Sequence, residues 1–178
     1  MRLIGFAGWS GAGKTTLLAR LIPVLVGRGH RVSTVKHAHH NFDVDKPGKD
    51  SHTHRTVGAS EVLISSANRW ALMHELRGAA EPELPELVAR LSPVDLVLVE
   101  GFKQDHHPKI EINRAELGKP FLYPDDPFIL GLASDRPVPD CPRPVIDLND
   151  IEAIADFADQ HAIAINAIAW RPADHSAG

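Results

Sequence analysis

The residues Gly8-Trp9-Ser10-Gly11-Ala12-Gly13-Lys14-Thr15 fit the spacing G-x-x-x-x-G-K-[ST]. The chemistry explains the residue types. Phosphate oxygens are bound by a concave array of backbone N–H groups, so the loop needs glycines to turn tightly and to let the backbone come close. A helix that opens inside the loop adds its positive dipole end. Gly8, Ser10, Gly11, Ala12, Gly13, Lys14, Thr15 and Thr16 are therefore the candidate nucleotide-binding residues of this stretch. Lys14 would place a point charge on the β- and γ-phosphates, and the Thr15 hydroxyl would ligate Mg²⁺.

A second group of residues could complete such a site. The run Leu96-Val97-Leu98-Val99 ends at Glu100-Gly101, and a carboxylate at the end of a buried strand can hold the Mg²⁺ shell or orient a water. Gly101 would let the backbone approach the terminal phosphate. The Asn-Lys-x-Asp motif that reads guanine in many GTPases is absent, but Asp135, also at a strand end, could accept from the guanine ring N–H groups. Position 9 is Trp and position 10 is Ser, so the loop lacks the extra early lysine of the dimer-sandwich ATPases that partition cargo. The stretch from Lys36 to Ser51 is dense in His, Asp and Lys. Lys36, His37 and Lys49 could meet anionic phosphates, while Asp43, Asp45 and Asp50 could hold Mg²⁺ or water. A histidine-rich Zn²⁺ site and a plain solvated loop stand as the other readings. Phe102-Lys103-Gln104-Asp105-His106-His107 is a further candidate contact loop. Cys141 reads as a loop thiol, and Arg69-Trp70-Ala71-Leu72 as strand packing.

Elements with the right periodicity surround these residues. Residues 2–7 form a short apolar run stopped by glycine, which is a buried strand. Leu17, Leu18, Leu21, Ile22 and Leu25 recur at a helical period across residues 14–27, with Pro23 as a kink or early stop. Residues 31–36 give a second strand. Strand, helix, strand at this spacing is a βαβ unit, which implies parallel pairing. Farther along, the patterns predict a short helix at 51–58 capped by Ser51, two strands at 61–65 and 69–74, a helix at 83–91 and a buried strand at 94–99. An edge strand at 108–113, a buried strand at 128–133 and an amphipathic helix at 150–165 follow. The expected fold is a three-layer α/β structure of the P-loop NTPase type, with a mostly parallel central sheet and a β extension. Residues 1–166 are expected to form one domain and 167–178 a flexible tail.

Composition narrows the function classes. The chain has 178 residues, 43% of them apolar and 24% charged, which suits one globular α/β domain. Nineteen basic against twenty-three acidic residues give a net charge of −4, which argues against bulk nucleic-acid binding. One cysteine excludes an internal disulfide. No apolar run approaches the roughly 20 residues that span a bilayer, and the N-terminus is too short in apolar residues for a signal peptide, so the expected location is the cytoplasm.

Taken in order, these motifs resemble one family, the MobB-type molybdopterin-guanine dinucleotide biosynthesis adaptor proteins. The resemblance rests on Gly8–Thr15, then Lys36-His37 with Phe42-Asp43-Val44-Asp45-Lys46-Pro47-Gly48-Lys49-Asp50-Ser51, Gly58-Ala59 and Arg69-Trp70-Ala71-Leu72. It continues through Val99-Glu100-Gly101-Phe102-Lys103, Ala133-Ser134-Asp135 and Asp147-Leu148-Asn149-Asp150-Ile151-Glu152. It implies a GTP-binding protein with Mg²⁺ and weak hydrolysis, which assists a molybdopterin guanylyltransferase by delivering nucleotide or presenting molybdopterin. Other molybdenum cofactor proteins are further implied partners. It also implies a homodimer that shares extended strands, for which 61–75 and 108–113 are the candidate edges. Under this resemblance Lys14, Glu100 and Asp50 are the candidate catalytic residues, and Thr15 and Glu100 the candidate metal ligands. Two rival readings are a small-molecule kinase of the same fold, with Asp43, Asp45 or Asp50 as base, and a non-enzymatic pterin-cofactor binding module.

Overall fold

The computed structural model describes residues 1–38 and 42–170. In chain order the elements are β1 (Arg2–Ala7), α1 (Lys14–Gly27), β2 (Val32–Lys36), α2 (Asp50–Thr56), β3 (Glu61–Ser65), β4 (Trp70–His74), α3 (Leu84–Ala89) and β5 (Leu96–Glu100). They continue with β6 (Lys109–Asn113), β7 (Ile129–Ser134), β8 (Val145–Asp147), α4 (Ile151–His161) and β9 (Ile163–Ala164). The chain divides into two compact units: Met1–His37 with the chain from Leu84 onward, and Ala38–Glu83.

The larger unit is built on a sheet of order β2-β5-β1-β6-β7-β8. All of these neighbours are parallel, and β9 lies antiparallel against the start of β1. A parallel sheet is covered on both faces, so its inner strands read as continuous apolar runs; every residue of β5 is buried. On one face Ile4, Phe6, Leu98, Ile110 and Ile112 pack with Leu17, Leu21 and Leu25 of α1 and Ile154 and Ala158 of α4. Fully buried leucines such as Leu21 and Leu25 each contribute roughly 2 kcal/mol. On the other face Leu3, Val97 and Val99 pack with Leu84 and Val88 of α3 and with Ile168. Helix, sheet and helix make the expected three layers.

Several expectations need correction. α1 runs through Pro23 to Gly27, because Pro23 and Ala19, whose carbonyl loses its helical partner, both lie on the exposed face. α4 begins at a true cap, the Asp150 carboxylate accepting from the Ala153 amide at 3.0 Å. It ends at His161 rather than 165, where Ala162 turns to extended geometry and Ile163 pairs with Leu3. Part of the stretch expected as a flexible tail is packed: Ile168 is buried and Trp170 packs against the second core, while 171–178 lie outside the described residues. The strand at 108–113 is not an edge, since β6 sits between β1 and β7. Its alternating Lys109, Glu111 and Asn113 suggest a wet face, yet all three are buried. The segment beyond the strand covers Lys109 and Glu111. Asp126 pairs with Lys109 at 2.7 Å, and the Leu122 and Tyr123 amides donate to Glu111, each at 2.9 Å.

The smaller unit holds the β extension. β3 and β4 form an antiparallel hairpin from the Glu61–His74 pair to the Ser65–Trp70 pair. Leu63, Ile64, Trp70 and Leu72 are exposed on it, so Trp70 is not the packed residue expected. α2 starts at Asp50 with Lys49 in the cap position, and Ser51 is not its cap. The Ser51 hydroxyl donates instead to Asp45 at 2.9 Å. Arg55 is the hub of this unit. It pairs with Asp43 at 2.9 Å, Glu75 at 2.7 Å and Asp45 at 3.4 Å.

Candidate nucleotide-binding site

The phosphate loop leaves the end of β1 and runs into α1. Gly13 stands at the cap position of α1 with φ +89°, a left-handed geometry that a side chain strains, and a Cβ there would also press on the Arg114 guanidinium at 3.1 Å. No side chain caps α1 and no acidic residue stands in its first turn. The helix N-terminus therefore keeps its N–H groups and dipole for an anion. Lys14 Nζ donates to the carbonyls of Gly8 at 2.8 Å and Trp9 at 3.0 Å, which bends it back over the loop. Burial lowers the Lys14 pKa, Lys36 and Lys103 push the same way, and Glu100 opposes them. An incoming phosphate would favour the charged ammonium.

Around this loop the sheet edge brings three predicted residues together. β5 is the direct neighbour of β1 and β2 the neighbour of β5, so Glu100 and Lys36, paired in register, end beside the loop. The Thr15 hydroxyl donates to Glu100 Oε1 at 2.9 Å. Lys36 Nζ lies 3.3 Å from Thr15 Oγ1 and 3.4 Å from Glu100 Oε1. Two hard oxygens side by side fit Mg²⁺, and the Lys36 ammonium places positive charge at the same pair. Gly101, at φ +93°, lets the chain turn past His37, whose Cβ would lie 2.9 Å from a Cβ on residue 101. The His37 ring rests on Phe102 with centroids 4.9 Å apart.

At the far side of β6, the turn after β7 opens a cavity of about 390 Å³ lined by Ser134, Asp135, Arg136, Val138, Val145 and Asp147. Asp135 Oδ1 accepts from the Ala115 amide at 2.9 Å. Ala115 follows Arg114, whose Nε donates to the Ala12 carbonyl at 3.2 Å. One dipeptide thus ties the phosphate loop to the Asp135 turn. Arg114 escaped the sequence reading; its signal was its place one residue beyond a buried strand at this same edge.

Other predicted residues stand elsewhere. Asp50 opens α2 in the smaller unit, so the group described here, wholly in the larger unit, is built without it. Asp43 and Asp45 are engaged by Arg55. The Asp45 amide and Arg55 hold the Asp43 carboxyl below its ordinary range. Burial would raise Asp45, but Ser51, the Lys46 amide and Arg55 bring it below as well. Of the suggested Zn²⁺ ligands, His39 and His40 lie outside the described residues, and among the described residues no three His, Cys, Asp or Glu side chains gather as a metal site. No helix among them is long and apolar enough to cross a membrane.

The family model described as molybdopterin guanine dinucleotide synthesis protein B matches residues 3–135. The chain belongs to the MobB family. It is 46% identical over 158 residues to the molybdopterin-guanine dinucleotide biosynthesis adapter protein of Escherichia coli strain K12, covering 87% of this chain and 90% of that protein. It is 44% identical over 155 residues to the protein of the same name from Haemophilus influenzae, covering 87% and 86%. Solved MobB structures share the fold. The MobB homolog from Bacillus stearothermophilus has a TM-score of 0.65 at 25% identity, covering 88% of this chain and 94% of that one. Another structure, of molybdopterin-guanine biosynthesis protein B, has a TM-score of 0.67 at 27% identity, covering 87% and 96%.

Proposed function

We propose that this MobB-family chain binds GTP with Mg²⁺ and serves as a homodimeric cytoplasmic adaptor in the conversion of molybdopterin to its guanine dinucleotide form. The relatives it matches over most of their length carry the name of such an adapter. The observation that carries the nucleotide reading is the placing of an uncapped helix N-terminus, Lys14 and the Thr15–Glu100 oxygen pair at one sheet edge. The cavity at Asp135 supports the base position. β1 and β7 flank β6, so their ends lie two strand spacings apart, roughly 10 Å. A ribose and its first phosphate bridge that gap, and the Asp135 carboxylate suits the paired N–H donors of guanine.

Thr15 and Glu100 are the residues that would hold the metal, and Mg²⁺ when bound neutralises charge on the β- and γ-phosphate oxygens. Lys14 would bind the same oxygens, and Glu100, which accepts from Thr15 at 2.9 Å, would hold a proton of a water there. Any hydrolysis is slow without a partner, because no arginine finger is readable in the sequence. The kinase reading loses two of its three candidate bases, because Asp43 and Asp45 are held by Arg55 as low-pKa carboxylates. The exposed apolar residues of the β3–β4 hairpin support dimerisation there.

Calorimetry of the full chain with GTP, GDP and ATP in Mg²⁺ tests the nucleotide reading. GTP should bind, and Lys14→Ala should remove binding while leaving the thermal melt in place. ATP outcompeting GTP about tenfold, roughly 1.4 kcal/mol, overturns the guanine assignment.

A further inference from the structure

Trp9, the second residue of the phosphate loop, gathers more positive charge than Lys14 alone supplies. Lys103 Nζ stands 5.2 Å from the centroid of its indole and Lys119 Nζ 5.7 Å. Its backbone carbonyl accepts from Lys14 Nζ at 3.0 Å, so three ammonium groups converge on one residue. The ring itself is fixed, since Trp9 Nε1 donates to the Pro120 carbonyl at 2.8 Å and thereby tethers the segment that carries Lys119. Lys103 is tethered from the other side, lying three residues beyond Glu100, whose carboxylate meets Thr15. Indole–ammonium contacts give each lysine a defined place without neutralising it. Both ammonium groups keep their charge at the ring, so an anion held by the loop beside Trp9 is attracted by each of them.

Lys14 marks where the β- and γ-phosphates lie in a loop of this spacing. Trp9 is five residues before it, and its carbonyl accepts from the Lys14 ammonium. We infer that Lys103 and Lys119, seated on the Trp9 ring, form a subsite for the terminal phosphate of a nucleoside triphosphate, so that this chain distinguishes the triphosphate from the diphosphate by two ammonium groups rather than by an arginine. The inference rests on the nucleotide reading above and adds to it the residues that read phosphate number.

Titration of the full chain in Mg²⁺ with guanosine 5′-(β,γ-imido)triphosphate and, separately, with GDP tests it. Lys103→Gln and Lys119→Gln should each weaken the triphosphate about tenfold and leave GDP within about twofold, as expected for loss of one charged contact to one phosphate. Lys103→Arg should keep most of the triphosphate preference. Both lysines are exposed, so the thermal melts should match that of the unaltered chain. Equal loss for both nucleotides, or loss for neither, overturns the subsite while leaving the nucleotide reading in place. An unaltered chain that binds neither nucleotide overturns the nucleotide reading itself and the subsite with it.

Discussion

His107 is a titratable ring sealed from water, and neither of its nitrogens has a hydrogen-bond partner within the described residues. Burial, helped by the Lys109 charge, pushes its pKa down from 6.5 to about 3. The unfolded chain takes up a proton at this ring below pH 6.5, while the folded chain does so only near 3. Stability at this residue is therefore complete above pH 6.5 and falls with pH through that window, by up to about 1.4 kcal/mol per pH unit. Denaturant titrations between pH 7 and pH 4 should show this slope, and His107→Gln should flatten it even if its stability at pH 7 is lower. An unchanged slope in the variant would mean that the ring is charged or open to solvent in the folded chain. The same stretch shows what single residues conceal. That Gly8–Thr15, Lys36 and Glu100 come together was legible, because their types and spacing answer to one ligand chemistry. Lys109 and Glu111 were not, because alternation of polar and apolar residues signals a wet face only when nothing downstream covers it. Asp126 and two backbone amides, more than ten residues away along the chain, turn that face into interior.

Among elements, the long and strongly patterned ones were readable and the short ones were not. β5 is an unbroken apolar run and α1 repeats leucine on one stripe, so each declares its period. β8 has three residues and β9 two; a period cannot show itself over that length, and both owe their geometry to the strands they pair with. The β3–β4 hairpin was legible as two strands, but the exposure of Trp70 and Leu72 was not, since the sequence reads them as core. Correcting β6 to an interior position leaves this hairpin as the remaining candidate edge for the dimer. Leu72→Glu or Trp70→Glu should then convert the chain to a monomer in sedimentation or light scattering, with the melt of the larger unit preserved. A dimer that survives both charges would place the contact elsewhere.

Over the whole molecule the apolar burial is uneven. The larger unit has two apolar clusters, one on each face of its sheet. Between Ala38 and Glu83 the described residues include one buried apolar side chain, Val62, and α2 buries none. What holds the smaller unit is polar: Arg55 clasping Asp43, Asp45 and Glu75, and the Arg77 guanidinium donating to the Arg55 and Ala59 carbonyls, each at 2.8 Å. Partly exposed ion pairs are weak beside a packed core, so the two units should open at different free energies. Hydrogen exchange should find the amides of β3, β4 and α2 released by local opening well before those of β1, β5 and β6, which should wait for global unfolding. Arg55→Ala should speed the first set and leave the second unchanged. Because the hairpin is also the proposed dimer edge, its protection should rise with protein concentration, and in Leu72→Glu that rise should disappear. Uniform protection across both units at every concentration would show that the polar clasp is as strong as the core, and that the hairpin needs no second copy to stay closed.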